Sequence, residues 1–469
     1  MKKAATPRAG ASALARTWLR LRGRPVPASL LDDLPRIPVA AGRVATLAGP
    51  AEFRERLLAL IGGARERIVL AALYLQDDEA GREILAALHA AKFVRPALEI
   101  LVFVDWHRAR RGLIGKARSP GNAALYREWA ERCGPGVAVM GVPVKTREVL
   151  GVMHLKGFVV DDTVLYSGAS LNDVYLGRNG RYRLDRYHVI RDRRLADSLT
   201  GFLLRTVGES PAVSPLDGDP SATRAPLRPA VARLQHALRR ARYPFAGGTV
   251  RKGEVGITPL VGIGGRGNEL NAVVLELIGR ARKRLVLYTP YFNLPGPVRR
   301  AVDARLKAGC QVTIVVGDKV ANDFYIPPPE PFKAIGALPY LYESNLRRWC
   351  RARQRFLDAG LLEVMLWRDG ANTYHLKGLL ADDEWMLLTG HNLNPRAWRM
   401  DLENGLLVHD PHHLLRAQNR AELARVLANA RRVESWKSLE TLEDYPAPAQ
   451  RLLKRLARTA VDRLVNQVL

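Results

Sequence analysis

Two copies of one polar octet constrain this chain more than any other feature of its sequence. His154-Leu155-Lys156-Gly157-Phe158-Val159-Val160-Asp161 recurs about 220 residues later as His375-Leu376-Lys377-Gly378-Leu379-Leu380-Ala381-Asp382. Each octet precedes a short polar segment, which reads Gly-Ala-Ser-Leu-Asn at 168–172 and Gly-His-Asn-Leu-Asn at 390–394. Histidine, lysine and asparagine at matched offsets predict one site that is assembled from both halves of the chain.

The chemistry that suits such a site is exchange at a phosphate diester. A pair of imidazoles can supply a nucleophile and a proton carrier, while a pair of lysines neutralises the non-bridging oxygens. We therefore predict catalytic roles for His154, Lys156, His375 and Lys377. This chemistry requires no metal, and the three cysteines match no metal-binding spacing, so we predict neither a metal nor a cofactor.

An imidazole that attacks phosphorus needs an acidic partner on its other ring nitrogen, because that partner fixes the tautomer. Asp185 and Glu403 occupy equivalent places after the two octets and are predicted to be these partners. Asp161 and Asp382 lie five residues beyond their lysines and would face the opposite side of a strand. We predict a structural role for these two aspartates.

Several further polar residues are candidates for substrate contact. Ser170, Asn172, Asn392 and Asn394 belong to the two polar segments and are predicted to bind phosphate. The remaining candidates follow predicted strands, where α/β sheets place ligands. They are His107, Tyr291 and Asn293. For His107 a purely structural role is an equal alternative.

The repeat extends beyond the octets and indicates two tandem α/β domains. Apolar runs at 68–70 and 100–104 match runs at 285–287 and 312–316, with a helical stretch between the runs of each pair. This order predicts βαβ units, hence mixed, largely parallel sheets flanked by helices, with pseudo-two-fold symmetry and one active site at the domain interface. The predicted segments are a basic N-terminal extension (1–45), a first domain (46–209), a linker and helix (210–250), a second domain (251–410) and a helical C-terminal region (411–469).

The formal charge of +27 predicts a polyanionic partner, either nucleic acid or an acidic membrane surface. No apolar run approaches the ~18 residues that a spanning helix needs, and we expect a cytoplasmic protein. Residues 450–469 place leucines at helical spacing between arginines, which is typical of a basic amphipathic helix. Such a helix can lie on an anionic bilayer or pack on its own domain, and the number of arginines favours the membrane.

The two octets resemble the motifs of the phospholipase D superfamily, in which two such motifs meet around one active site. Longer segments resemble, more closely, the bacterial CDP-diacylglycerol–serine O-phosphatidyltransferases. These segments include Val-Asp-Trp-His-Arg-Ala at 104–109, Thr-Pro-Tyr-Phe-Asn-Leu-Pro at 289–295, Ala-Asn-Asp-Phe-Tyr-Ile-Pro at 321–327 and the stretch 392–404. The polar segments depart from the common Gly-Ser-x-Asn pattern, since the serine of the first is displaced by one residue and the second has His391-Asn392.

The resemblance implies two phospholipase D-like domains and transfer of a phosphatidyl group from CDP-diacylglycerol to L-serine, with release of CMP. It also implies a covalent phosphatidyl-histidine intermediate, with His154 as nucleophile and His375 as proton shuttle, although the reverse assignment stays open. CMP leaves readily, whereas the serine hydroxyl needs a base, so we expect His375 to matter most in the second half-reaction. The expected location is the cytoplasmic face of the inner membrane, with peripheral attachment.

Two alternative functions compete with this prediction. Another enzyme of the superfamily, such as a cardiolipin synthase, a phospholipase D or a nuclease, would use the same octets, and phosphate contacts of a nuclease would explain the charge equally well. The longer matching segments argue against a nuclease. A non-catalytic binding protein is disfavoured because both histidines and both lysines are intact.

Overall fold

The structure, a computed structural model, describes residues 29–111, 121–218, 227–327 and 330–458. Up to residue 218 its strands are β1 (Ile37–Ala40), β2 (Val44–Thr46), β3 (Arg67–Ala71), β4 (Glu99–Asp105), β5 (Ala138–Val142), β6 (Gly157–Val160), β7 (Thr163–Ser167), β8 (Arg183–Leu184), β9 (Tyr187–Arg191) and β10 (Ser214–Pro215). Its helices there are α1 (Leu30–Asp33), α2 (Pro50–Gly63), α3 (Glu79–Val94), α4 (Trp106–Ala109), α5 (Asn122–Cys133) and α6 (Arg193–Gly201), which continues into a π-helical turn at Phe202–Gly208.

From residue 227 onward the strands are β11 (Glu254–Ile263), β12 (Arg284–Thr289), β13 (Gln311–Gly317), β14 (Leu362–Trp367), β15 (Thr373–Tyr374), β16 (Gly378–Ala381), β17 (Trp385–Thr389), β18 (Leu402–His409) and β19 (Ala430–Arg432). The helices are α7 (Arg228–Leu238), α8 (Glu269–Arg280), α9 (Gly296–Lys307), α10 (Leu338–Arg351), α11 (Gln354–Asp358), α12 (Pro395–Arg399), α13 (Arg416–Leu427) and α14 (Ala447–Arg458).

Each half of the chain is built around one mixed sheet. The orders are β10-β5-β4-β3-β6-β7-β9-β2 and β1-β11-β18-β17-β16-β12-β13-β14-β19. Helical crossovers make β3, β4 and β5 parallel, and likewise β12, β13 and β14. All other neighbours in the two sheets are antiparallel within the described residues, so the expectation of largely parallel sheets is wrong. The reason is that each octet leads into a hairpin (β6–β7 and β16–β17), whose tight turn needs no crossover.

The ends of the chain contribute to the sheets in ways that the repeat does not reveal. β1, from the predicted N-terminal extension, pairs with β11 of the second sheet, whereas β2 pairs with β9 of the first. In the C-terminal region, which was predicted to be helical, β19 covers the edge strand β14. Residues 1–28 and 459–469, which belong to the predicted extension and the predicted C-terminal helix, lie outside the described residues.

The two halves pack on one another through an apolar core. One buried cluster combines side chains of both halves, among them Val159 and Tyr166 from the first and Tyr288 and Leu388 from the second. Two further clusters lie between each sheet and its outer helices. A contact with the composition of a domain core holds the two halves, and therefore the octets, in a fixed relation.

The C-terminal helix α14 packs on the second half of the molecule. Ala449 and Leu453 are buried against Tyr340, Leu341 and Tyr445. The basic side chains of the helix that are exposed include Arg451 and Lys454. In its described part, therefore, the apolar face of this helix packs within the protein. No helix among the described residues is long and apolar enough to span a membrane.

Candidate active site

Two interdomain β-bridges place the octets beside each other. The short strands β8 and β15 pair in parallel and lead directly into Asp185 and His375. A second parallel bridge, between single residues, leads directly into His154 and Glu403. At each bridge the backbone N–H of the histidine donates a 2.8 Å hydrogen bond to a backbone carbonyl of the other half. Each histidine is thereby held next to the predicted acidic partner that comes from the opposite domain.

The acidic partner of His154 among the described residues is Glu403. Its Nδ1 lies 2.9 Å from Oε2 of Glu403, and both side chains are buried. Burial, together with Lys156 and Lys377, lowers the pKa of His154 well below its usual value, so the ring is neutral at neutral pH. Burial also raises the pKa of Glu403, with the nearby lysines acting in the opposite direction. A proton between Nδ1 and Oε2 leaves the lone pair on Nε2, which accepts no hydrogen bond from the described residues.

His375 has a more crowded and more acidic environment. Its Nδ1 lies 2.9 Å from the hydroxyl of Tyr175 and also contacts the ammonium of Lys377. Asp185 lies 3.6 Å from Nδ1 but only 2.8 Å from that ammonium, so one carboxylate serves two groups. Burial and Lys377 lower the pKa of His375 to about 4, which leaves the imidazole neutral. Although burial favours the neutral carboxyl, Lys377 and His375 hold the pKa of Asp185 below its usual range.

The two lysines differ in whether a carboxylate pairs with the ammonium group. Lys377 is fully buried and paired with Asp185, as described above. Lys156 is also buried and donates a 3.0 Å hydrogen bond to Ser170. It forms no salt bridge with a carboxylate of the described residues. Burial and Lys377 lower the pKa of Lys156 to about 7. Because an unpaired buried ammonium is unfavourable, an anion that enters beside Lys156 stabilises its charged form.

Glycine is required where the polar segments cross the site. A Cβ on Gly390 would lie 2.8 Å from Cγ of Lys156, and a Cβ on Gly168 would lie 2.8 Å from the Asp185 carboxylate and 3.0 Å from Nζ of Lys377. Each segment therefore passes directly over the lysine of the opposite half. The matched glycines of the repeat are explained by this close approach.

The polar residues of these segments have different environments. Oδ1 of Asn172 accepts a hydrogen bond from the backbone of Tyr175 (3.1 Å), and Oδ1 of Asn394 caps α12 by accepting one from Ala397 (2.9 Å). Both amides therefore shape turns. Oδ1 of Asn392, in contrast, is buried without a hydrogen-bond partner among the described residues, which suits contact with a substrate.

Asp161 and Asp382 brace the two hairpins away from the imidazoles. Both have a left-handed backbone, with φ of 51° and 57°, directly after β6 and β16. Each carboxylate accepts hydrogen bonds from three consecutive backbone N–H groups at the start of β3 or β12, with the shortest at 2.8 Å and 2.7 Å. The turn, more than the strand alternation assumed from the sequence, determines where these side chains point.

The three remaining candidates are not grouped in one place. Nε2 of His107 lies 2.8 Å from the carbonyl of Lys145, which is the structural environment described as its alternative. The ring of Tyr291 meets His375 edge-on, with centroids 5.8 Å apart. Asn293 lines a cavity of about 1320 Å³ on the second half. Among the other residues that line it are Arg266, Arg299, Arg300, Arg348 and Arg399.

Sequence reasoning missed several residues that complete the site. The side chain of Asn404 bonds both the N–H and the C=O of Lys156 at 2.8 Å, and Arg186 pairs with Glu422 at 2.6 Å across the interface. Asn404 and Arg186 directly follow the two predicted carboxylates, and this adjacency in the repeat is the signal that could have found them. A third group, Arg183 with Asp323, lies beside His375.

Two α/β halves that each contribute a histidine and a lysine to one shared site define a protein of the phospholipase D superfamily. In agreement, the family model described as "Cardiolipin synthase, PLD-like domain" matches residues 274–426. No group of three or more histidine, cysteine, aspartate or glutamate side chains that could hold a metal ion occurs in the part of the chain that the structure describes.

The sequence relatives are closer still. The chain is 46% identical over 441 residues to the CDP-diacylglycerol–serine O-phosphatidyltransferase PssA of Escherichia coli (strain K12), covering 94% of this chain and 97% of that one. It is 45% identical to the Haemophilus influenzae enzyme of the same name over 444 residues, with the same coverage. The crystal structure of phosphatidylserine synthase from H. influenzae superposes with a TM-score of 0.89 at 44% identity, covering 94% of this chain and 98% of that chain. The chain belongs to the CDP-diacylglycerol–serine O-phosphatidyltransferase family.

Proposed function

We propose that this protein transfers the phosphatidyl group of CDP-diacylglycerol to L-serine and releases CMP. The choice of these two substrates is supported by the family to which the chain belongs. The observation that carries the chemistry is the neutral His154, held by Glu403 beside the unpaired ammonium of Lys156 and across the interface from His375. A nucleophile, an anion site and a proton acceptor are thus present in one buried place, as transfer in two half-reactions requires.

In the first half-reaction Nε2 of His154 attacks the phosphorus that bears the diacylglycerol. The P–N bond forms, the bond from that phosphorus to the bridging oxygen breaks, and the electron pair leaves on CMP. The ring becomes positively charged, and Glu403 stabilises it through the hydrogen bond to Nδ1. Lys156 and Lys377 balance the charge of the non-bridging oxygens throughout.

In the second half-reaction the serine hydroxyl attacks the same phosphorus. Its proton passes to Nε2 of His375, the new P–O bond forms, and the electron pair of the P–N bond returns to His154. The imidazole of His375 is neutral at neutral pH, so it has a lone pair that can accept this proton. Its Nδ1 lies 2.9 Å from the hydroxyl of Tyr175, and the Asp185 carboxylate is 3.6 Å away. General-base catalysis of this kind contributes about 10²- to 10⁴-fold.

Incubation of the purified protein with CDP-diacylglycerol, with and without L-serine, tests this proposal. We expect phosphatidylserine and CMP in equal amounts when serine is present. Phosphatidic acid as the only lipid product would identify a hydrolase instead. Failure to act on the lipid, combined with cleavage of DNA, would identify a nuclease and overturn the proposal.

We further propose that the protein attaches peripherally to the cytoplasmic face of the inner membrane. The support is the net charge of +27 and the exposed basic side chains of α14, whose apolar face packs within the protein. Attachment through charge is worth about 1 kcal/mol for each lysine or arginine near an anionic surface. The variant Arg451→Glu/Lys454→Glu should sediment less with vesicles that contain anionic lipid, and added salt should weaken the wild type. Unchanged sedimentation of the variant would show that α14 is not the attachment site.

A further inference from the structure

We propose that Arg183 and Asp323 bind the carboxylate and the ammonium group of the acceptor amino acid. This inference rests on the proposed transfer reaction and adds the place where its second substrate binds. The loop after β13 carries Asp323, and β8 carries Arg183, so each half of the molecule supplies one member of the pair. Their charged atoms lie 3.0 Å apart, and both side chains are mostly buried.

Asp323 lies close to the position that the substrate ammonium group would take. Its Oδ2 is 3.9 Å from Nε2 of His375, the nitrogen that takes the serine proton in the proposed reaction. In serine, three covalent bonds separate the hydroxyl oxygen from the amino nitrogen, a span of about 3–4 Å from standard bond lengths. A serine whose hydroxyl meets Nε2 of His375 therefore reaches Asp323 with its ammonium group.

The carboxylate of Asp323 also has unused binding capacity. Oδ2 accepts a hydrogen bond of 2.9 Å from the hydroxyl of Tyr291. Oδ1 is buried and, apart from its ion pair with Arg183, has no hydrogen-bond partner among the described residues. A buried carboxylate oxygen in this state is completed by a donor such as an ammonium group.

Arg183 presents a guanidinium that suits the substrate carboxylate. Its Nε donates a 3.2 Å hydrogen bond to Thr373, and its guanidinium lies 4.8 Å above the ring of Tyr175. Although burial opposes the charged form, Asp323 raises the pKa of Arg183, so the side chain stays charged. The planar guanidinium matches a carboxylate in geometry. A zwitterion that inserts between Arg183 and Asp323 replaces one ion pair by two and adds no net charge.

The corresponding region of the first half has the opposite electrostatic character. The short helix α4, which directly follows β4, brings Arg108 close enough to contribute to the lowered pKa of Lys156. The carboxylate of Asp105, at the end of β4, accepts hydrogen bonds from the backbone of Met153 and Arg108 at 2.8 Å and 2.9 Å, so it is engaged within the protein. The first half thus suits the diphosphate of the lipid, and the second suits an ammonium group.

The variants Asp323→Asn and Arg183→Gln test the proposal by separating the half-reactions. Exchange of labelled CMP into CDP-diacylglycerol reports the first half-reaction without any amino acid. In both variants we expect this exchange to stay within about twofold of wild type, while the KM for L-serine rises about 10- to 100-fold, the range for loss of a hydrogen bond to a charged group. The matched control is Glu83→Gln, which weakens partly exposed ion pairs with Arg54 (2.6 Å) and Arg178 (2.9 Å) elsewhere and should change neither quantity.

Two truncated acceptors assign each contact. The preference for L-serine over L-glycerate, which lacks the amino group, should fall in Asp323→Asn but stay in Arg183→Gln. The preference for L-serine over ethanolamine, which lacks the carboxylate, should fall in Arg183→Gln but stay in Asp323→Asn. An unchanged KM for serine, or equal losses with serine and with both truncated acceptors, would overturn the acceptor site. A wild-type protein that exchanges no CMP would instead overturn the proposed transfer itself, and the acceptor site with it.

Discussion

The surroundings of His154 and of His375 descend from one repeat, yet they differ in charge. His154 has the carboxylate of Glu403 beside it, and the adjacent Lys156 forms no salt bridge with a carboxylate of the described residues. His375 shares Asp185 with its lysine and has Asp323 on the other side of its ring. The backbone bridges that hold the two histidines are nearly the same, so the difference arises from side chains on the surrounding loops.

This difference in charge explains how a duplicated site can supply both a nucleophile and a general base. Excess positive charge beside His154 favours the phosphate of the lipid and an in-line attack there. Compensated charge and a second carboxylate beside His375 favour a proton acceptor and a cationic co-substrate. Symmetric backbone placement brings both imidazoles into one buried site, where His375 contributes to the lowered pKa of His154. Asymmetric electrostatics then separate nucleophile from base.

Replacement of the two histidines should have the largest effects on activity and should affect the two half-reactions unequally. His154→Ala removes the nucleophile and should lower both CMP release and phosphatidylserine formation by at least about 10⁴-fold. His375→Ala should slow phosphatidylserine formation by about 10²- to 10⁴-fold while a first turnover of CMP release is affected less. Rapid-quench measurement of both products checks this. Equal losses of the CMP burst in the two variants would contradict the unequal roles.

Replacement of the carboxylates Glu403 and Asp185 should also affect the two half-reactions unequally. Glu403→Gln disturbs the tautomer of His154 and should slow the CMP burst by about 10²- to 10⁴-fold, a range typical of the third member of a catalytic triad. Asp185→Asn should act mainly on transfer to serine, since it serves His375 and Lys377. The same quench experiment decides between them. An effect of Asp185→Asn on the burst as large as that of Glu403→Gln would count against this division.

The buried ion pair between Arg186 and Glu422 should contribute far more to stability than an exposed ion pair does. Glu422→Ala leaves the buried Arg186 unpaired and should lower the free energy of unfolding by about 3–5 kcal/mol. Its control is Glu66→Ala, which removes an exposed ion pair with Arg193 and should cost no more than about 1 kcal/mol. Denaturant unfolding measures both. A loss below 1 kcal/mol for Glu422→Ala would show that the ion pair does not hold the halves together.

The smallest predicted effect concerns pH and Lys156. Its pKa of about 7 lies below the usual value, so the ammonium is present below that pH and is lost as the pH rises through it. An anionic lipid headgroup binds the ammonium form, so affinity should fall by about fivefold between pH 7 and pH 8. Binding to CDP-diacylglycerol in micelles measures this. Lys156→Gln should bind more weakly at pH 6.5 and lose the pH dependence; an unaltered dependence would assign it to another group.

The predictions from sequence succeeded where the repeat itself carried the information. The prediction of two α/β halves with one shared site is confirmed, because matched offsets place His154 and His375 three residues before the equivalent strands β6 and β16. The crossing of the carboxylates between the halves could not be predicted, because it depends on bridges between segments far apart in sequence. The sheet was predicted with too many parallel strands, because apolar runs alone do not distinguish a hairpin from a crossover. Asp323 belongs to the segment 321–327 that the resemblance singled out, but no individual role was predicted for it, because its environment has no counterpart in the other half.

The most direct test of the unequal roles is to trap the covalent intermediate. His375→Ala, mixed with CDP-diacylglycerol and quenched in base, which preserves phosphohistidine, should carry the phosphatidyl group or its deacylated remnant on the peptide that contains His154. His154→Ala should carry none. An adduct on His375, in the wild type or in His154→Ala, would contradict the assignment of nucleophile and base.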